Sequence, residues 1–176
     1  MSRAFVWFFI FGFLGLAGCG YTTGNLLPSN YRTISIEPFQ NKVGYLNENT
    51  RGLYIPLLET TVHDAIVSRF QQDGHLKIAK SDKANLILKG DLIRFDRDDI
   101  TLTDSQNVAQ YRIRITVSLT LIDPVIGEVV WSEPSFAGEG TYYTTGPTAR
   151  SESAALQDAL TDLSRRTVER TLENNW

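Results

Sequence analysis

A stretch of strict alternation between apolar and polar residues, from Tyr111 to Ile122, constrains the fold more than any other part of this chain. The apolar positions are Tyr111, Ile113, Ile115, Val117, Leu119 and Leu121, and the polar ones are Arg112, Arg114, Thr116, Ser118 and Thr120. Successive side chains of a β-strand point to opposite faces. The segment therefore predicts a strand with one buried face and one solvated face, which is typical of an antiparallel sheet covered on one side.

Three further extended segments surround this strand in the sequence. Residues Tyr31 to Phe39 are compatible with a strand, and Leu86 to Phe95 form a β-rich run in which Gly90 marks either a bulge or a close backbone approach. Residues Asp123 to Gly127 form a connection of hairpin length that leads into Glu128 to Ser132. We therefore expect antiparallel neighbours on both sides of the central strand.

Two segments carry the apolar spacing of three and four residues that is typical of amphipathic helices. The first runs roughly from Tyr54 to Gln72, with Pro56 in its first turn and Gly74 as its stop. The second runs from about Ser151, a suitable N-cap, to Asn174. The apolar stripes are Leu58, Val62, Ala65, Ile66 and Phe70 in the first helix and Leu156, Leu160, Leu163, Val168 and Leu172 in the second.

These elements follow one another in the order β-α-β-β-β-α. A sheet with one apolar face needs cover, and two amphipathic helices supply it. We therefore predict an α+β fold, a two-layer sandwich of two helices packed on a mainly antiparallel four-stranded sheet. One domain, residues 31–176, is the economical division because a chain of this length is close to the commonest domain size.

The N-terminus resembles a bacterial lipoprotein signal. Residues Ala4 to Ala17 are apolar and uncharged but fewer than the ~20 residues that a membrane-spanning helix needs. They end in Leu16-Ala17-Gly18-Cys19, and Cys19 is the only cysteine of the chain. We predict a signal peptide at residues 1–18, cleavage before Cys19 and lipid attachment to Cys19. A signal anchor, or a secretory signal with a coincidental cysteine, is the alternative.

The likeness to bacterial lipoproteins implies how the chain is held at a membrane. One acyl chain binds a bilayer only marginally, so stable anchoring takes two or more, and bacterial lipoproteins carry three fatty acyl chains such as palmitate. In those proteins an Asp after the cysteine is the usual signal for the inner membrane, and here that position is Gly20. The resemblance therefore implies the outer membrane, with residues 19–30 as the acylated N-terminus and tether.

The charge of the chain argues against nucleic acid as a partner. The chain has 17 Lys and Arg residues against 20 Asp and Glu residues, so no strong positive field is present. An anionic ligand would need a local cluster, and Arg112 and Arg114, with Lys89 and Arg94 on an adjacent strand, are the best candidates. The alternative is that these cations serve only solubility or edge protection.

No catalytic or metal-binding pattern is present in the sequence. His63 and His75 do not have a metal-ligand spacing, and the single cysteine is assigned to acylation, so we predict no enzyme activity, no metal and no cofactor. The glycines at 138–140 depart from a phosphate-binding motif and are interpreted as a loop. The acidic group at 96–99 lacks the calcium-loop pattern and is interpreted as a solvated turn.

Four aromatic residues form a cluster after the last predicted strand. They are Trp131, Phe136, Tyr142 and Tyr143. Such a cluster either completes the core or seats a partner, and both alternatives stay open at this point.

Short motifs spread along the chain resemble the LptE family, lipopolysaccharide-assembly lipoproteins of the bacterial outer membrane. They are Gly18-Cys19-Gly20-Tyr21, Ile34 and Ile36 in the first strand, the helix around Glu59, Ala84-Asn85-Leu86 leading to Gly90, Ala109-Gln110-Tyr111, and Gly127 to Trp131. The order of these motifs and the lipidation site carry the resemblance, which spans nearly the whole mature chain.

The resemblance implies a plug and scaffold inside the lumen of the LptD β-barrel rather than an enzyme. The body would face the periplasm or the barrel lumen. The family also implies binding of lipopolysaccharide through basic residues, one of them in the loop before the long strand. Here that loop, Thr103 to Asn107, has no Lys or Arg, so Arg112 or Arg114 would have to substitute. A periplasm-facing accessory lipoprotein, either a transporter subunit or an activator of cell-wall synthesis, is the competing hypothesis.

Overall fold

The computed structural model describes residues 27–28, 30–44, 55–102 and 108–173. The predicted signal peptide at residues 1–18, the lipidation site Cys19, nearly all of the predicted tether and the loop at 103–107 lie outside the described residues. Those assignments therefore stay predictions.

The structure confirms the α+β class, with two helices and a sheet. Its elements are β1 (Thr33–Ile36), β2 (Gln40–Asn41), α1 (Leu58–Asp73), β3 (Lys77–Ile78), β4 (Leu86–Leu102), β5 (Val108–Asp123), β6 (Glu128–Tyr143) and α2 (Glu152–Leu172). The described part of the sheet has six strands rather than the predicted four. The difference arises because β2 and β3, of two residues each, extend the sheet on the side of β1.

Three long strands form the body of the sheet. β4, β5 and β6 pair antiparallel in sequence order, and β1 runs parallel to both β4 and β3. The sheet is therefore mixed, with antiparallel pairing confined to the long strands. β5 is only a few residues longer than the predicted central strand. The prediction is accurate because the apolar residues of the alternating pattern are the ones that the fold buries on one face.

β6 reaches Tyr143, whereas the sequence predicts an end at Ser132. Pro and Gly residues argue against a strand, but a register shift opposite Ser118 takes up Pro134. Gly138 and Gly140 then pair regularly with β5. The interpretation of residues 138–140 as a loop is wrong.

Close packing of α2 explains the two glycines of β6. A Cβ atom on Gly140 would overlap the carbonyl oxygen of Ala155, and one on Gly138 would overlap that of Ala159. Ala155 and Ala159 are fully buried at this contact. The small residues on both elements let the backbone of α2 lie directly against the backbone of β6.

β4 is also longer than predicted, because it continues through the acidic group at 96–99. That group therefore lies within a strand, and its interpretation as a turn is wrong. The ring of Phe39 packs against Gly90, in a space that a Cβ atom would fill, so the expected close approach at Gly90 is confirmed. The register shifts of this strand lie further on, the first of them between Leu92 and Arg94.

Both helices have the predicted type, with small shifts at their ends. α1 begins at Leu58, so Pro56 lies before the helix and not in its first turn. Gly74 ends α1 in a left-handed conformation, with φ +78°, and its N–H donates to Phe70 O. Ser151 caps α2 as predicted, because its hydroxyl accepts the N–H of Ala154 at 3.2 Å.

The core lies between the helices and the apolar face of the sheet. Its largest fully buried side chains include Phe70 of α1, Phe95 of β4 and Ile115 of β5. Burial of a side chain of this size stabilises a fold by about 2 kcal/mol. One continuous cluster joins both helices to the four strands β1, β4, β5 and β6 and to Leu76, which lies before β3, so the helices and the sheet depend on each other for stability.

Side chains of α2 also cover the free edge of the sheet at the middle of β6. The carboxylate of Asp162 accepts the Glu139 N–H at 3.3 Å, and the guanidinium of Arg166 donates to Ala137 O. An uncovered edge strand pairs readily with other chains. At residues 137–139 these two contacts occupy the backbone groups that such pairing would need.

Candidate functional site

The face of the sheet that points away from the helices carries rows of polar and charged side chains from three neighbouring strands. We call it the outer face and define it by the side chains of β4, β5 and β6 on that side. They are Lys89, Asp91, Arg94, Asp96, Asp98, Arg112, Arg114, Thr116, Ser118, Thr120, Ser132, Ala137, Glu139 and Thr141. Side chains of both helices pack in one cluster with the apolar face of the sheet, so no helix of the described chain covers these residues.

Arg112 and Arg114 lie together on the outer face, as the alternation predicts. Arg114 Nε donates to Glu139 Oε1 at 2.8 Å, and Arg114 Nη1 lies 3.9 Å from Asp98 Oδ2. Arg112 Nε lies 3.5 Å from the other oxygen of Glu139. The hydrogen bond to Glu139 raises the pKa of the Arg114 guanidinium, although its partial burial acts in the opposite direction. Glu139 on β6 therefore holds both arginines at once.

Arg94 lies on the same face but is also paired. Its Nε lies 3.0 Å from Asp96 Oδ2. Burial raises the pKa of Asp96, and the charge of Arg94 partly offsets that rise. Three arginines of the outer face are thus matched by three carboxylates, and an anionic ligand would compete with those carboxylates for every guanidinium.

Lys89 shares the outer face but lies in a separate group of charges. Its Nζ is 3.9 Å from Glu37, and Lys42 Nζ is 2.7 Å from Asp91. These residues, with Ser118, line a polar cavity of about 190 Å³. The prediction that Lys89 lies on the same face as the arginines is correct. The register shift of β4 between Leu92 and Arg94, however, separates Lys89 from the three arginines.

The aromatic cluster divides between the core and the surface. Trp131 and Tyr142 are buried members of the core, whereas Tyr143 is exposed on the opposite side of β6. Tyr142 stacks on Tyr111 with ring centroids 5.3 Å apart. Burial and the nearby charge of Glu152, which accepts the Tyr142 hydroxyl at 3.1 Å, raise the pKa of Tyr142. Of the two open alternatives, completion of the core therefore holds for Trp131 and Tyr142.

The two ends of the long strands differ in what they carry. We call the end with the start of β1 and the β5–β6 turn the near end, and the end with the β4–β5 connection the far end. At the near end Tyr31 donates its hydroxyl to Asp123 Oδ2 at 2.8 Å. The turn beyond Asp123 exposes Val125 and Ile126 to solvent. Sequence reasoning missed this exposed apolar turn, although two adjacent aliphatic residues in a hairpin turn were a visible signal.

The two histidines have partners close to them in sequence. His63 Nδ1 lies 2.9 Å from Asp64, and His75 Nδ1 lies 2.8 Å from Asp73. Among the residues that the structure describes, no three His, Cys, Asp or Glu side chains are placed to hold a metal ion. No described helix is long and apolar enough to cross a bilayer.

A comparison with protein families matches residues 31–171 to the LptE family, whose description is lipopolysaccharide assembly. The match covers every strand of the sheet and both helices almost completely. No curated protein matches the chain in sequence.

Several solved structures are similar to this one in fold. Uncharacterized lipoprotein B from Nitrosomonas europaea has a TM-score of 0.58 at 14% identity, covering 88% of this chain and 90% of that one. Protein XCC0632 from Xanthomonas campestris has a TM-score of 0.56 at 18% identity, covering 82% and 88%. Hypothetical protein CT253 from Chlamydia trachomatis has a TM-score of 0.54 at 11% identity, covering 80% and 95%. At these identities the likeness concerns the fold alone.

Proposed function

Because the chain belongs to the LptE family of lipopolysaccharide-assembly proteins, we propose that it acts as an acylated plug and scaffold inside the lumen of a large outer-membrane β-barrel of the LptD type. The observation that carries this proposal is the family match over residues 31–171. The proposal gives the chain a role in assembly and no catalytic role.

The length of the sheet supports a position inside a barrel. β5 has 16 residues, which at about 3.3 Å per residue span about 50 Å. A bilayer with its headgroup regions is about 40 to 45 Å thick. A body held at its near end by a lipid would therefore reach through most of the height of a membrane barrel.

The chemistry of the outer face supports the same position. The lumen of an outer-membrane barrel is polar, so a partner surface inside it needs hydrogen-bonding groups rather than a broad apolar patch. The outer face offers threonine and serine hydroxyls, such as Thr120 and Ser132, between paired charges. Because the charges of the outer face are paired, the face has no strong net field. A strong field of one sign would repel the groups of like charge in the wall of a polar barrel lumen.

The anchor completes the proposal. In our account residues 1–18 are removed as a signal peptide, Cys19 carries fatty acyl chains such as palmitate, and residues 19–30 tether the body to the outer membrane. The body then faces the periplasm or the barrel lumen. The described helices offer no membrane span of their own, so in this account the acyl chains hold the protein.

Lipopolysaccharide is the proposed ligand of Arg112 and Arg114. Its phosphate groups are suited to bidentate contact with guanidinium groups. Because Glu139 occupies both arginines, binding requires the ligand to displace Glu139 or to share the guanidinium groups with it.

Affinity purification of the tagged full-length chain from its own cells, in mild detergent, tests the proposed partner. We expect an outer-membrane protein of β-barrel size to co-purify in a stable ratio, and a Cys19→Ser variant to lose acylation and yield less of that complex. Recovery of the chain alone would contradict the proposal. Co-purification with an inner-membrane complex or a peptidoglycan synthase would instead favour the accessory lipoprotein.

A further inference from the structure

The near end of the molecule carries a compact group of exposed aliphatic side chains. Val125, Ile126 and Val129 are 82%, 63% and 58% exposed. They lie within five residues of one another in the β5–β6 turn and at the start of β6. Single exposed aliphatic residues are common on protein surfaces, whereas several exposed aliphatic residues close together are typical of contact sites. We call this group the apolar tip.

The apolar tip is held in a fixed conformation. The carboxylate of Asp123 accepts the N–H of Val125 at 2.8 Å and the N–H of Ile126 at 3.4 Å, and it also accepts the Tyr31 hydroxyl. Asp123 is only 6% exposed. The turn therefore presents its side chains outward without the cost of ordering a loose loop when they meet a surface.

The N-terminal segment joins the body beside the apolar tip. Leu27 packs against the core, and Tyr31 reaches Asp123 directly. Leu27 is eight positions after Cys19 in the sequence, and an extended chain of that length spans at most about 28 Å. An anchor on Cys19 therefore keeps the near end within a short distance of the surface that holds it, whereas the far end lies about 50 Å from the near end along β5 and is not held in this way.

We infer that the apolar tip inserts into the lipid surface to which Cys19 is anchored, so that the body has a second membrane contact besides its acyl chains. The inference rests on the proposed acylation of Cys19. Residues Pro124 to Gly127 carry no charge, and the exposed Glu128 beside them is acidic. The contact is therefore an apolar one that needs no anionic headgroups and persists in high salt.

A fluorescent label at the apolar tip tests the inference. The full-length acylated chain carrying Val125→Cys is purified without its barrel, labelled with a polarity-sensitive dye and reconstituted into phosphatidylethanolamine and phosphatidylcholine vesicles. An acylated Cys19 has no free thiol, so the dye marks position 125 alone. Leu102→Cys, also an exposed aliphatic position but at the far end, serves as the matched control. Vesicle flotation and mass spectrometry of the same sample report on the anchor.

We expect the dye at position 125 to shift to shorter wavelength in vesicles and to be several-fold less quenched by aqueous iodide than the dye at position 102. A second label at position 129 should lose that protection when Ile126 is replaced by Ser, which controls for insertion driven by the dye itself. If the chain floats with the vesicles but both labels are equally quenched, the inference is wrong and the anchor stands. If the chain is not acylated and does not float, both the inference about the apolar tip and the proposed acylation of Cys19 are wrong. Protection that develops only after the barrel is added would also overturn the inference, because the tip would then contact protein.

Discussion

The two faces of the sheet come from the same alternating strands but have different physical roles. On the helix-covered face, side chains such as Ile113 and Val117 are fully buried in one cluster with both helices. Arg112 and Arg114 lie next to Ile113 along the same strand but point to the outer face. There both form ion pairs with Glu139 on the neighbouring strand. We therefore expect the covered face to determine whether the chain folds, and the outer face to tolerate substitution with little effect on stability.

The most severe test of the covered face is Gly140→Ala. The added methyl group would overlap the carbonyl oxygen of Ala155 and force α2 away from β6, so we expect a loss of about 3 kcal/mol in the free energy of unfolding. The measurement is a urea unfolding curve of the signal-less chain. Thr141→Ala, the adjacent exposed position on the outer face, is the control and should change that free energy by at most about 0.5 kcal/mol. Equal effects of the two substitutions would break the distinction between the faces.

The hydrogen-bonded pair of Tyr31 and Asp123 at the near end tests how much a polar contact adds to the stability of the covered face. Tyr31→Phe removes the hydrogen bond to the buried carboxylate of Asp123 and should cost about 2 kcal/mol. Matched unfolding curves of the wild type and the variant measure that difference at pH 7.

The pH dependence of this difference follows from the two pKa shifts. Burial alone would raise the pKa of Asp123, but hydrogen bonds from Tyr31 and from the backbone of Val125 and Ile126 lower it below its ordinary value of 3.8. The hydrogen bond to Asp123 and burial raise the pKa of Tyr31 above its ordinary 10.0.

The stabilisation by Asp123 is therefore present above pH 3.8 and is lost as the pH falls through the lowered folded-state pKa. The stabilisation by Tyr31 is present below pH 10.0 and is lost as the pH rises through the raised folded-state pKa. The difference between wild type and Tyr31→Phe should thus shrink in strong acid and in strong base. A difference that is constant across the whole range would contradict this account, because the cost of the substitution would then be independent of the ionisation of Asp123 and Tyr31.

The smallest expected change in stability is on the outer face. Arg114→Gln removes two ion pairs that are partly exposed, and such pairs contribute about 1 kcal/mol or less. We expect unfolding curves close to those of the wild type. A loss as large as that of Gly140→Ala would mean that the outer face is a structural element of the fold.

Substitutions at Glu139 and at Arg114 should change the affinity for lipopolysaccharide in opposite directions. Glu139→Gln frees both arginines from their shared carboxylate, so we expect the affinity for lipopolysaccharide to rise by about threefold, the equivalent of one exposed ion pair. Arg114→Gln should lower it. Binding of labelled lipopolysaccharide to the purified chain is the measurement, and unchanged affinity in both variants would exclude Arg112 and Arg114 as the ligand contact.

Sequence alone predicts the covered face well because the buried positions repeat with the period of the element. The spacing of Leu58, Val62, Ile66 and Phe70 predicts one face of α1, and all four are buried. The end of β6 is missed because Gly138 and Gly140 count against a strand in isolation. Their role depends on α2, which follows β6 in the chain and packs on it only in the folded state.

The outer face shows where prediction from sequence stops. The alternation places Arg112 and Arg114 on the solvated face correctly. It does not reveal that Glu139 forms ion pairs with both of them, because the register of β6 against β5 includes a shift opposite Ser118 that no local pattern records. The charge of a sheet surface is decided by pairing across strands, so it follows from the register and not from the residues of one strand.

Photo-crosslinking in intact cells tests the central claim most directly, namely that the outer face meets a barrel wall. A photoreactive residue placed at Thr120 or Thr141 leaves the core untouched, because both side chains lie on the outer face. The account predicts an adduct with an outer-membrane protein of LptD size from both positions. Adducts only with inner-membrane or peptidoglycan-synthesis proteins, or no adduct from either position in a chain that is correctly acylated, would contradict it.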